Sequence, residues 1–342
     1  IFCNHSLSCS LNGCYVDGEG CQCHKPWSGD SCSVLITTPS PPSAKSLFPS
    51  PERKNSWSGP VCQDDADGRF RMYLPIYAKG NLAKSSALYH GVAEQVAGPY
   101  NWTDLGVNHG PNPGLVKYFD PQTGQAQHAL FAGGHIWLED KLEGGHFKNS
   151  IGDYPHINFS PLFHNGSFYG VFQATTFVYR NEDIRNRSGW EQHGSIVAPH
   201  QGQFKRKSLE DPHLWVDEYN FFHIIAHAFH KRERHNCSNS LVSAHLFSVD
   251  GRQWHRSSEA PYGHEIQYDD GTSQIYSTLE RPYVVLDKRK RPTHIILAAS
   301  LEHGDQGCAH TESCAKNDRF CSCVNCKWIG LAGTVVLSLD TS

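Results

Sequence analysis

The chain has 342 residues, a formal charge of −4 and a pI near 6.6, so it carries no basic footprint for nucleic acid or an anionic membrane surface. Only 38% of its residues are hydrophobic, yet 17 Phe, 14 Tyr and 8 Trp supply packing volume that a disordered chain lacks. Thirty Gly and 19 Pro against one Met suit short strands joined by tight turns, and no apolar run reaches the roughly 18 residues of a membrane span. These features predict an all-β protein.

Thirteen cysteines exceed routine cytosolic use unless they bind metal or do redox work. Six fall in the first 32 residues, five lie between Cys308 and Cys326, and Cys62 and Cys237 stand apart. Asn-X-Ser/Thr sequons begin at Asn4, Asn101, Asn165, Asn186 and Asn236, with a weaker one at Asn158 that Pro161 follows. Cysteines and sequons together predict a secreted glycoprotein. Ile1 sits two residues before the first cysteine, which reads as a processed N-terminus.

The first predicted unit is residues 1–33. Cys3, Cys9, Cys14, Cys21, Cys23 and Cys32 end in a Cys-x-Cys-x8-Cys step closed by Gly29-Asp30-Ser31-Cys32. The spacing alone leaves fifteen connectivities open. It resembles the epidermal growth factor-like module, and that resemblance implies the pairings Cys3–Cys14, Cys9–Cys21 and Cys23–Cys32. So short a segment needs staples in place of a core. Residues 34–56 follow as a Pro/Ser-rich linker, extended by its prolines, although Leu35-Ile36 could pair with a sheet edge.

From residue 57 to 342 five segments repeat one pattern: X-Pro, an apolar strand, a polar turn and an aromatic-rich strand. Their prolines are Pro60, Pro113, Pro161, Pro212 and Pro282, separated by 53, 48, 51 and 70 residues. Asp67-Gly68, Thr123-Gly124 and Asn165-Gly166 supply hairpin turns. Four short strands every 40–50 residues is the arithmetic of a propeller blade, so five repeats predict a five-bladed β-propeller. A proline that opens a strand spares the ladder, and first strands line the axis. The last blade carries a Cys-rich insertion at 304–327. Its five cysteines with Cys62 and Cys237 make seven, so at least one has no partner within the chain.

Glu210-Asp211-Pro212-His213-Leu214-Trp215, Ser248-Val249-Asp250-Gly251 with Trp254, and Glu280-Arg281-Pro282 resemble the five-bladed propeller superfamily of arabinanases, levansucrases, invertases and family 43 glycosidases. The resemblance implies a funnel that binds carbohydrate. If the funnel is active, it implies hydrolysis of a poly- or oligosaccharide by paired carboxylates. Candidate catalytic residues are Asp211, Glu280 and Asp153. Candidate substrate-binding residues are Asn112, Glu210, His213 and Arg281. Adjacent strand residues point to opposite faces, so Glu210 and Asp211 are expected to diverge, with Asp211 facing the funnel. The departure from the family lies in blade one, which reads Ser58-Gly59-Pro60 where those enzymes place an aspartate; Asp64, Asp65 and Asp67 look like turn residues.

The 22 histidines form no zinc template, and neither a metal nor a cofactor is expected. His223 and His227 fall on one strand face, as core or surface residues. The leading expectation is a secreted, glycosylated carbohydrate binder that lacks one carboxylate of the hydrolytic pair. The alternative is a subunit of an extracellular filament, in which copies of the chain join through the N-terminal module and linker.

Overall fold

The computed structural model describes residues 5–41, 55–77, 86–108, 112–120, 124–139, 149–153, 158–172, 177–196, 209–228, 243–276, 278–300 and 332–342. The chain starts with two small hairpins. β1 (Gly13–Val16) pairs β2 (Gly20–Cys23), and β3 (Trp27–Ser28) pairs β4 (Val34–Leu35). Disulfides join Cys9 to Cys21 and Cys23 to Cys32, two of the three pairings that the cysteine pattern's resemblance implies. Cys14 is also disulfide-bonded, while Cys3 lies outside the described residues. A Cβ on Gly13 would come within 2.7 Å of the Cys32 sulfur, so the two hairpins close tightly only because glycine stands there.

Five antiparallel sheets follow, confirming the five-bladed propeller. In blade I, β5 (Asn55–Ser56) and β6 (Val61–Gln63) both pair β7 (Phe70–Tyr77), followed by β8 (Ser86–Ala93) and β9 (Asn101–Asn108). Its inner strand is thus interrupted at Trp57-Ser58-Gly59-Pro60. Blade II is β10 (Gly114–Phe119), β11 (Ala126–Ala132), β12 (His135–Glu139) and β13 (Asn149–Asp153). Blade III is β14 (Ser160–His164), β15 (Ser167–Val171), β16 (Phe177–Asn181) and β17 (Glu191–Ser195). Blade IV is β18 (Leu209–Val216), β19 (Phe222–Ala228), β20 (Ser243–Ser248) and β21 (His255–Arg256). After a ribbon of β22 (Glu265–Gln267) and β23 (Ser273–Ile275), blade V is β24 (Thr278–Leu286), β25 (Pro292–Ser300) and β26 (Ala332–Ser338).

Turn chemistry fixes the registers. Asn165 and Gly166 both take positive φ, 48° and 76°, which makes the two-residue turn joining His164 to Ser167. The Asp64–Arg69 turn is held by buried Arg71, whose guanidinium reaches Asp64 Oδ2 at 2.9 Å and Asp67 Oδ2 at 2.7 Å. Lys117 pairs with Asp65. The three blade I aspartates are therefore turn residues engaged with cations.

Each adjacent pair of blades shares its own apolar cluster, because the blades pack face to face through their buried side chains. Tyr73 and Leu88 meet Leu115 and Leu130; Phe131 and Val116 meet Phe159 and Phe168; Val171 and Val178 meet Leu214 and Ile224. Trp215 and Ile225 meet Leu279 and Ile295, and Val285 and Ile296 return to Met72 and Leu74. The ring closes between blades V and I.

The N-terminal segment belongs to the same packing. Cys9, Trp27, Cys32 and Leu35 are buried in the cluster of blades IV and V. Leu35 N–H donates to Pro261 O and Thr38 N–H to Ser338 O, while Ile36 O accepts from Asp340 N–H. Residues 36–38 thus lie alongside the outer end of β26, as the Leu35-Ile36 pair suggested. Asn101, Asn165 and Asn186 are exposed; Asn4, Asn236, Cys237 and the insertion at 304–327 fall outside the described residues.

Candidate functional site

The inner strands of blades IV and V break register at the same place. β18 slips against β19 between Glu210 and His213, and β24 slips against β25 between Glu280 and Tyr283. Within each slip one residue turns left-handed: Asp211 at φ 50° and Arg281 at φ 54°. Such geometry costs a non-glycine residue on the order of 1–3 kcal/mol and is held only by its surroundings. The following proline fixes the exit from each bulge. A bulge also cancels strict alternation. Glu210 and Asp211 both feel the charges of Glu280, His227 and Arg281, and of the two it is Asp211 that lines the axial pocket.

Blades II and III repeat the device with Asn112 at φ 60° and Asn158 at φ 56°. In blade III the left-handed residue is followed by Phe159, and Pro161 lies inside β14, so the repeat's proline is not in register there. Asn158 is buried on the axis, which removes it as a glycosylation site and makes it a site residue that its sequon disguised.

An axial pocket opens between these bulges, lined among others by Ser58, Asn158, Asp211, His213, Arg281 and Tyr283. Asn158, Asp211 and Arg281 are each more than nine-tenths buried. Asn112 sits beside lining residue Pro113. Glu280 pairs with His227, Nδ1 to Oε2 at 2.9 Å, and His227 is the cross-strand neighbour of Glu210. Asp153 ends β13, the outermost strand of blade II, with its backbone opposite His135.

Electrostatics tie the cluster together. Burial, reinforced by the charges of Asp211 and Glu280, lifts Glu210 to about 7, against the pull of His227 and Arg281. Burial also raises Asp211, with Arg281 opposing and Glu280 adding to the rise. His227 is disfavoured as a cation by burial, but the charge and hydrogen bond of Glu280 win and raise it. His213 is the opposite case: burial holds it down at about 3, so it is a neutral imidazole. Tyr77 and Tyr262 are raised by burial and then by Glu280. The arrangement offers a carboxylic acid that keeps its proton near neutrality, an ion-paired carboxylate beside it, and a buried guanidinium.

Among the described residues, blade I places no carboxylate at the pocket, which it lines with Ser58 and Gly59. Ser58 is fully buried, 3.5 Å from Ile296 O, and a Cβ on neighbouring Gly59 would overlap Tyr73 O. The site's carboxylates therefore come from blades IV and V. His227 escaped sequence reading because only the pairing of β18 with β19 brings it to Glu210. Its spacing from His223 had already placed it on a shared strand face.

The same architecture occurs in carbohydrate-active enzymes. An α-L-arabinofuranosidase from Lactobacillus brevis is similar over 83% of this chain and 90% of its own, at 10% identity and a TM-score of 0.50. An endo-1,4-β-xylanase from Bacteroides thetaiotaomicron is similar over 73% of this chain and 87% of its own, at 14% identity and a TM-score of 0.45. A glycoside hydrolase family 43 protein from Bacillus licheniformis is similar over 71% of this chain and 54% of its own, at 11% identity and a TM-score of 0.44. No family model matches the chain, and no curated protein matches it by sequence. Identities this low speak to fold alone.

Proposed function

We propose that the protein is a secreted glycoprotein that binds a carbohydrate in the axial pocket through the polar cluster of blades IV and V. The observation that carries this reading is that Asp211 and Arg281 line that pocket and share an electrostatic network with Glu210, Glu280 and His227 beside it. Asp211 Oδ1 and Asn158 Oδ1 are buried acceptors that receive no hydrogen bond among the described residues. Leaving such an acceptor unsatisfied costs roughly 1–3 kcal/mol, which a donating sugar hydroxyl offsets. The disulfides and the exposed sequons at Asn101, Asn165 and Asn186 support an oxidising, glycosylating route out of the cell.

Hydrolysis of the bound glycan is the second reading, favoured by Glu210, which at about 7 retains the proton that a general acid needs. Binding leads because the two-carboxylate mechanism wants partners flanking the bond, and blade I presents Ser58. The test is calorimetry of the full chain against a panel of oligo- and polysaccharides, with each bound glycan then assayed for cleavage. Asp211→Asn and Glu280→Gln should weaken binding about tenfold or more. A wild-type protein that binds nothing on the panel, or variants that bind equally well, would overturn the reading. Cleavage abolished by Glu210→Gln with binding retained would establish the second.

A further inference from the structure

We propose that a buried hydrogen-bonded chain from Asp217 through His223, His245 and Ser257 to Ser10 is a proton-sensitive latch that holds the N-terminal segment on blade IV and releases it in acid. The inference is independent of the carbohydrate reading.

The links are continuous. Asp217 Oδ2 lies 3.4 Å from His223 Nε2, His223 Nδ1 lies 3.0 Å from His245 Nε2, and His245 Nδ1 lies 2.7 Å from Ser257 Oγ. Ser257 then donates to Ser10 Oγ at 2.9 Å, crossing from blade IV into the N-terminal segment. From His223 to Ser10 no member is more than 5% exposed. Aromatic planes clamp the rings in place. Trp215 stacks on His223 with centroids 5.2 Å apart, and Trp27 of the N-terminal segment covers His245 at 4.8 Å.

Proton accounting makes this chain a sensor. Because Ser257 gives its hydrogen to Ser10, it accepts one from His245 Nδ1. The nitrogen left on His245 for a second proton is Nε2, which faces His223 Nδ1 across 3.0 Å. The three ring links of the closed chain need three hydrogens on two imidazoles, so the chain carries one positive charge, set against Asp217, before His245 takes a further proton. A further hydrogen on His245 Nε2 turns the gap into a repulsion between two buried charged rings. Burial and the neighbouring His223 already hold His245 well below its ordinary value.

The surrounding charges leave His245 as the weak point. His24 of the N-terminal segment is also held below its ordinary value, by burial first and then by His5, with Glu218 and Asp217 of the β18–β19 turn opposing. His5 and His24 rest on Tyr219 beside that turn. On β21, half-buried Arg256 stands opposite Leu246, on the other face of β20 from His245. His245 has no carboxylate among its electrostatic partners. Protonating it costs the folded state the His–His bond and the seat of Trp27.

The sign follows from linkage. A histidine held down in the folded state binds its proton mainly after opening, so opening is favoured as pH falls below about 6.5. One such proton makes opening about tenfold easier per pH unit. The experiment is hydrogen exchange of the full chain between pH 7.5 and 5.5, corrected for intrinsic rates and read at the amides of Leu35, Thr38 and Ser40. Their protection should fall about tenfold per unit below pH 6.5 while β11 of blade II stays the better protected. His245→Phe keeps the stack and removes the sensor, so its dependence should flatten; His223→Phe serves the same purpose if the first variant fails to fold. Protection of these amides that is flat with pH in the wild type, or a pH dependence unchanged in the folded variant, would overturn the latch.

Discussion

Glu210→Gln should stabilise the protein, and by an amount that depends on pH. Glu210 ionises at about 7 in the folded chain rather than at its ordinary 4.5, because it is largely buried beside Asp211 and Glu280. A carboxyl raised in this way binds more protons folded than unfolded between those two values. Stability is therefore lost as pH rises through that window, and the loss is complete above about 7. The full difference corresponds to about 3 kcal/mol, trimmed to roughly 2–3 kcal/mol because part of the side chain meets water. Glutamine keeps the shape and a hydrogen-bonding end without the charge. Urea unfolding of both proteins from pH 4.5 to 8 should show no difference at the acid end and a gain of about 2 kcal/mol or more at pH 8. Adding Asp211→Asn should shrink the gain, because Asp211 supplies part of the repulsion that Glu210→Gln relieves. A gain that is flat with pH, or no gain at pH 8, would refute the claim that Glu210 is held protonated by its neighbours.

Arg71→Ala should cost about 3–5 kcal/mol in unfolding free energy, since it strands buried Asp64 without its cation; a loss below 1 kcal/mol would mean that the turn finds another partner. Removing residues 1–41 should lower the melting temperature and, by uncovering the outer edge of β26, promote self-association visible by light scattering. Full burial of a large apolar side chain contributes about 1.5–3 kcal/mol, and this deletion strips Trp27 and Leu35 together from the blade IV–V cluster. Unchanged melting and mass would show that the segment is a passenger.

The propeller was legible because each blade writes its own signal: turn residues at a fixed offset, a proline at the axis and aromatic strands between. Local rules reached as far as single strands. They failed at the axis, where the chain departs from the strand geometry on which they rest. The bulges at Asp211 and Arg281 interrupt alternation, so strand periodicity does not show that Glu210 lies within electrostatic reach of Glu280, His227 and Arg281 while Asp211 lines the pocket. Asn158 read as a glycosylation sequon because its left-handed backbone, three residues before Pro161, has no separate mark in the sequence. The histidine chain was invisible for a different reason. Strand pairing within blade IV joins positions 217, 223, 245 and 257, and the docking of the first residues onto that blade adds Ser10.

That docking gives one strand two ends with related chemistry. β19 carries His223 in the latch and His227 in the pocket cluster, four residues apart on the same face, about 13 Å along the strand. Acid acts differently at the two ends. At the pocket His227 is already favoured as a cation by Glu280, so falling pH leaves that pair intact while Glu210 gains its proton near 7. At the other end the next proton has no carboxylate to meet and breaks a hydrogen bond. As the pocket gains its proton donor, the proposed latch on the arm that caps blades IV and V begins to weaken. The two responses follow from one physical difference, a carboxylate beside His227 and an imidazole beside His245.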